Sequence, residues 1–179
     1  MPALFPITSR LLHWMMAVLV LTQLFIGIAM VGSISDYHRL VAIHKPLGML
    51  LLVLVALRLL NRLLRPPPPL PAAMPALLRV AAHASHLLLY ALMLALPLVG
   101  WAMLSAANYP IALVGSVHLP PIAPPSDALY AVLRPLHTAL ALLLFAVFLA
   151  HLGAALLHAL IFRDGVFTSM ASWRAPSRD

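Results

Sequence analysis

The chain has 179 residues, 64% of them hydrophobic and only 8% charged, with a mean hydropathy of +1.04. A soluble domain carries roughly 25% charged residues, so this composition belongs to an integral membrane protein. Cysteine is absent, which excludes structural disulfides, thiolate zinc sites, iron–sulfur clusters and covalent haem attachment through a C-x-x-C-H sequence.

Four apolar stretches follow in order, from Leu11 to Val31, His44 to Leu64, Val80 to Leu104 and Leu136 to Phe162. Each approaches or exceeds the roughly 20 residues that a helix needs to cross a bilayer. Arg10 gives the first stretch the flank of a signal peptide, but its apolar run exceeds the roughly 7–15 residues of a signal core and further spans follow. The second and third are joined by Arg65 to Pro75, where Pro66-Pro67-Pro68-Pro69 forbids a continuous helix and makes a stiff connector. Pro97 falls inside the third and is expected to kink it. The segment from Ser105 to Arg134, rich in proline, is the one connection large enough to cap the molecule. The expectation is an all-α, membrane-spanning four-helix bundle forming a single domain over 1–179.

With the amino terminus in the cytoplasm, that side holds Arg10, Arg58, Arg62, Arg65, Arg79, Arg163, Arg174 and Arg178, and the far side holds Arg39, Lys45 and Arg134. The positive-inside bias therefore places both termini in the cytoplasm. The formal net charge of +7 is accounted for by topology and anionic lipid, and calls for no nucleic acid.

Histidine is where the chemistry lies. His137 and His151 are 14 residues apart on one apolar segment. That spacing is about 40° short of four helical turns and a rise of roughly 21 Å. Both imidazoles share a face, near opposite ends of a hydrocarbon core about 30 Å thick. Ionisable groups inside spans are functional candidates, and imidazole is an axial ligand of haem iron. Sorted by depth, His44 meets His137 on the outer side, and His13 meets His151 on the inner side. The same spacing relates His13 to Gly27, His44 to Arg58 and His86 to Gly100. Glycine lets a flat macrocycle approach the backbone, or two helices approach each other. Arg58, and Lys45 beside His44, are candidate partners of haem propionates. His86 has the depth of an inner ligand and is a rival to His13. His83 and His158 lie towards the headgroups, and His38 and His118 in outer connections. Trp14, Trp101 and Tyr109 suit interfacial belts.

These residues resemble the bacterial cytochrome b561 family. The resemblance rests on Arg10-Leu-Leu-His13-Trp14, the His44-Lys45-Pro46-Leu47-Gly48 stretch, Arg58 and Arg62, and His86-Leu-Leu-Leu-Tyr90 running into Gly100-Trp101, with His137 and His151 completing it. It covers nearly all of the chain up to Phe162. It implies a multi-pass protein of the bacterial inner membrane with two haems b, His13/His151 inner and His44/His137 outer. The family includes a superoxide oxidase that passes electrons from external superoxide to ubiquinone.

Bis-histidine iron has no open position and suits outer-sphere electron transfer. The expected function is therefore transmembrane electron transfer linked to quinone. Arg39, Lys45 and Arg134 either neutralise propionates or form a positive funnel for a small anion such as superoxide. Two alternatives stand beside this reading. One is a haem-bearing anchor subunit passing electrons between quinone and an iron–sulfur dehydrogenase or hydrogenase partner; the protein partner is not specified by the sequence. The other, a histidine-lined transporter of divalent metal, is disfavoured because Asp36, Asp127, Asp164 and Asp179 all lie outside the spans.

Overall fold

A computed structural model describes residues 4–114 and 117–173. Four long helices form the bundle: α1 (Ile7–Gly32), α2 (Tyr37–Leu64), α3 (Ala76–Ala106) and α4 (Asp127–Leu157). Helix α4 continues into a π-helical turn, His158–Phe162, and a short helix α5 (Val166–Ala171) follows. The connection from α3 to α4 carries a two-stranded antiparallel hairpin, β1 (Ala112–Val114) and β2 (Val117–His118), with Ala112 opposite His118. All four long helices are long and apolar enough to span a membrane. The described residues at the two ends of the chain lie together at one end of the bundle, here the terminal end; the other is the hairpin end.

The outside of the bundle is as apolar as its interior. Val18, Leu87, Leu142 and Leu160 are each more than 60% exposed. A helix that is apolar all round belongs in lipid, and the sparse interior does not have to supply the driving force for burial that a soluble core must. The interior is built from Val20, Leu51, Leu92, Leu96 and Leu144, one or two from each long helix. Val20, Leu51 and Leu144 come seven residues after His13, His44 and His137 respectively. Seven residues is about two turns. The packed layer thus lies midway between two levels of histidine.

Polar stitching is concentrated at the ends. At the terminal end Asn61 of α2 accepts from Thr8 Oγ1 at 3.0 Å and donates to Ser9 Oγ at 2.7 Å. Arg10 donates to the Ser172 carbonyl and stacks over the Trp173 ring. The Phe5 amide reaches the Ser169 carbonyl at 3.0 Å and Trp14 Nε1 the Met170 carbonyl at 3.3 Å, so the α5 segment is laced to the start of α1. Left-handed backbone at Arg163 (φ 51°) and Gly165 (φ 85°) makes the reversal that brings α5 back. At the hairpin end, Trp101 Nε1 donates to the Pro120 carbonyl at 3.0 Å, and Ser105 Oγ accepts from the Ile122 amide at 3.1 Å. Ser126 caps α4 by accepting from the Leu129 amide at 3.2 Å.

Two expected boundaries are corrected. First, α2 and α4 begin at Tyr37 and Asp127 rather than at His44 and Leu136, so His38 lies within a helix. Hydropathy misses these turns because Arg39, Lys45, Pro46, Arg134 and Pro135 dilute it, although nothing prevents such residues from being helical at an interface. Second, the long connection shrinks to 107–126 and carries the hairpin. Pro97 lies inside α3, as Pro46 lies inside α2 and Pro135 inside α4, and the helical bundle is the expected one. Arg174, Arg178 and Asp179 lie outside the described residues.

Candidate functional site

The four histidines singled out by depth come together in two pairs. The rings of His44 (α2) and His137 (α4) have centroids 6.3 Å apart at 72°. Those of His13 (α1) and His151 (α4) are also 6.3 Å apart, at 68°. A metal–imidazole bond of about 2.0 Å, with roughly 1.1 Å from ring centre to nitrogen on each side, separates two ligand rings on one metal by about 6 Å. Both pairs therefore fit a single iron between them. The described residues contain no cluster of three or more His, Cys, Asp or Glu suited to a bare metal ion.

Glycine leaves room for the rings at this site. A Cβ on Gly100 would lie 3.2 Å from His137 Cε1 and 3.5 Å from its Nδ1; one on Gly27 would lie 3.7 Å from His44 Cε1. The two glycines thus lie against the imidazoles of neighbouring helices. The Leu96 carbonyl lies beside the His137 ring. Yet His44 Nδ1 and His137 Nδ1 are both buried without a well-formed hydrogen bond.

The terminal-end pair has polar company. Arg58 shares a 2.7 Å hydrogen bond with His13 Nδ1, and its Nε donates to Tyr90 Oη at 3.1 Å. The guanidinium groups of Arg58 and Arg62 both lie over the Tyr90 ring, at 5.7 and 5.8 Å. His86 (α3) comes within 5.4 Å of His151, centroid to centroid, so His151 has His13 and His86 as ring neighbours. That distance is about 1 Å shorter than two ligand rings on one metal require.

The other histidines are spread along the molecule. His38 packs edge-on against Tyr37, His83 bonds the Arg79 carbonyl on the surface, and His118 sits on β2. His158 opens the π turn, and its Nδ1 lies 2.7 Å from Asp164 Oδ2. Of the basic residues at the hairpin end, Arg39 and Arg134 are exposed and Lys45 is half-buried. Arg134 donates to Tyr130 Oη at 2.9 Å.

Two features were missed by reading the sequence. Asp164 follows His158 by six residues across a change of backbone hand that no periodicity forecasts. Gln23, the single amide in α1, lies four residues before Gly27 and so shares its face; an amide inside a span was the available signal.

The glycine contacts make a differential prediction. Gly100→Ala should push the His137 ring aside and weaken haem retention at the hairpin end by roughly tenfold, the scale seen when a residue that supports a metal ligand is altered. Gly27→Ala, which adds ordinary van der Waals contact, should leave haem retention unchanged. Haem-to-protein ratios of the two purified variants check this.

Comparison with known proteins gives the architecture its relatives. A profile described as prokaryotic cytochrome b561 matches residues 4–173. Cytochrome b561 homolog 2 of Escherichia coli (strain K12) is 32% identical over 173 residues, covering 94% of this chain and 92% of that protein. Cytochrome b561 homolog 1 of the same strain is 28% identical, covering 91% and 94%. A probable superoxide oxidase, CybB, of Yersinia pestis is 29% identical over 162 residues, covering 89% and 90%. Agreement along the full set of spans shows that the chain belongs to the prokaryotic cytochrome b561 family, and with it to the haem b electron-transfer proteins of the bacterial inner membrane.

Proposed function

We propose that this protein oxidises a small external anion, superoxide, and delivers the electrons to ubiquinone through two haems b, held by His44 with His137 and by His13 with His151. The observation that carries the reading is the equal 6.3 Å ring separation in both pairs, with α4 contributing one imidazole to each. The relative named as a probable superoxide oxidase suggests the donor. Positive-inside bias sets the orientation: Arg10, Arg58, Arg62, Arg65, Arg79 and Arg163 mark the terminal end as cytoplasmic, with both termini there and the hairpin end outside.

When bound, the two haems supply a one-electron path between the membrane faces. The rest falls to the chain's own residues. A guanidinium only donates hydrogen bonds, so the Arg58–His13 contact uses the lone pair of Nδ1. A histidine that ligates through Nε2 instead carries its proton on Nδ1. With His13 ligating through Nε2, Arg58 would no longer find an acceptor on that ring and would be the residue to pair with a haem propionate, its bond to Tyr90 Oη retained. Lys45, next to His44, is the corresponding cation at the outer level.

The reaction balances with two superoxide anions, each losing one electron and leaving as dioxygen, against one ubiquinone that takes up two electrons and two protons. Outside, Arg39, Lys45 and Arg134 outnumber Asp36 and Asp127 and attract a small anion to the mouth above His44 and His137. Inside, His158, Arg163, Asp164 and Phe167 line a cavity of about 410 Å³. His158 is seven residues past His151, roughly 10 Å along the axis. The His158–Asp164 hydrogen bond at this opening is the proton-transfer pair we assign to quinone reduction. π-helical turns of this kind recur at functional sites.

The ligand assignment is tested by haem content and spectrum, with two haems per chain expected. His44→Ala or His137→Ala should lose the outer haem, His13→Ala or His151→Ala the inner, and His118→Ala neither. Loss of the inner haem in His86→Ala, with retention in His13→Ala, would make the inner pair His86 with His151.

Superoxide should reduce the detergent-solubilised protein. Neutralising Arg39, Lys45 and Arg134 together should slow that reduction on the order of tenfold at low salt and flatten its dependence on ionic strength. Unchanged rates would remove the funnel. Reduction only by a co-purifying iron–sulfur protein would make the chain an anchor subunit.

On the inner side, His158→Ala and Asp164→Asn should keep both haems while slowing reoxidation by a soluble ubiquinone analogue by about 10², the lower range for loss of a proton-transfer group. Stopped-flow reoxidation of the pre-reduced variants measures this, and a wild-type rate in both would place quinone elsewhere.

A further inference from the structure

Gln23 is seated against the residue that carries one of the outer imidazoles. Its Nε2 donates to the His44 carbonyl at 2.9 Å. Gly48, one turn beyond His44, leaves room for it: a Cβ there would lie 3.2 Å from Gln23 Nε2. One turn along α1 from Gln23, Gly27 faces the His44 ring, its Cβ position 3.7 Å from Cε1.

What is left over on the two residues is complementary. Among the described residues, the buried side-chain polar atoms without a hydrogen-bond partner are Arg10 Nε, Gln23 Oε1, His44 Nδ1 and His137 Nδ1. An amide oxygen only accepts, a guanidinium nitrogen only donates, and an imidazole bound to metal through Nε2 donates from Nδ1. Gln23 Oε1 is thus the one acceptor in that set, and one of the three donors belongs to the residue to which Gln23 is already tied. Ligating histidines characteristically donate their second ring nitrogen to an acceptor that fixes the ring and raises its basicity.

We propose that Gln23 is the positioning residue for His44, its Oε1 accepting the Nδ1–H of the imidazole that ligates the outer haem while its Nε2 holds the His44 carbonyl. This rests on the assignment of His44 as an outer ligand. A more basic axial imidazole favours the ferric state and lowers the midpoint potential. Gln23 thereby sets the outer haem's potential without touching haem or substrate.

Redox titration of the full-length protein, read in the visible haem bands, tests this, with the outer component identified by its loss in His44→Ala. Gln23→Leu is expected to raise the outer midpoint potential and leave the inner one where it is. Gln23→Glu keeps an acceptor oxygen but gives up the amide donor, and is expected to hold the outer potential at or below the wild-type value. An unshifted outer potential in Gln23→Leu overturns the proposal. So does a Gln23→Glu protein that moves with the leucine variant or loses the outer haem, since the tie to the His44 carbonyl would then be what matters. If Gln23→Leu itself loses the outer haem, Gln23→Glu decides on those same criteria. The underlying ligand assignment fails separately, by retention of the outer haem in His44→Ala.

Discussion

A nitrogen that can hydrogen-bond, once inside hydrocarbon, has no water to fall back on, and leaving one unsatisfied costs about 1–3 kcal/mol. Among the described residues the bundle places five half-buried imidazoles, His13, His44, His86, His137 and His151, at two levels inside its spans, and much of the interior answers to that placement. The histidines gather at two levels, with the apolar layer of Val20, Leu51 and Leu144 between them. Bulky packing is possible midway and would block the site at either level. Glycine stands where a ring lies against the neighbouring helix, at Gly27 and Gly100. The prolines Pro46, Pro97 and Pro135 all fall within three residues of His44, Gly100 and His137. Each removes a backbone donor near the hairpin-end level.

The two levels are finished differently. Around His13 and His151 the chain supplies Arg58, Arg62, Tyr90 and His86, a polar shell with a choice of partners. Around His44 and His137 it supplies glycine, aliphatic side chains and the Gln23 amide. A low dielectric strengthens whatever hydrogen bonds are made and sharpens the cost of those left unmade. A single amide therefore weighs more at the hairpin-end level than another donor would at the terminal-end level.

Much of this was legible because two periodicities coincide. Runs of about 20 apolar residues announce spans, and a 14-residue interval within a span fixes both depth and face. His137 and His151 needed nothing more; depth paired the first with His44 and the second with His13, and left His86 as a rival to His13. Helix ends were not legible: the turns from Tyr37 and Asp127 carry charge and proline, which hydropathy scores as loop but an interface accepts as helix. Which neighbour uses the space at Gly27 and Gly100 was not legible, because sequence tells which residue is small and not what lies against it. The His158–Asp164 contact was hidden because it depends on a π turn and a left-handed residue, for which apolar patterning has no signature.

Helix α4 contributes to both ring pairs, and it is the last of the four spans in chain order. During synthesis, neither pair exists until that span has entered the bilayer and docked, however long the first three have been in place. A nascent chain with three spans inserted presents His13, His44 and His86 without either partner from α4. On the proposed ligand assignment, cofactor loading is consequently an event of late biogenesis at both levels. A lesion that delays insertion of α4 would then accumulate colourless protein, where a lesion in α1 or α2 leaves one pair intact.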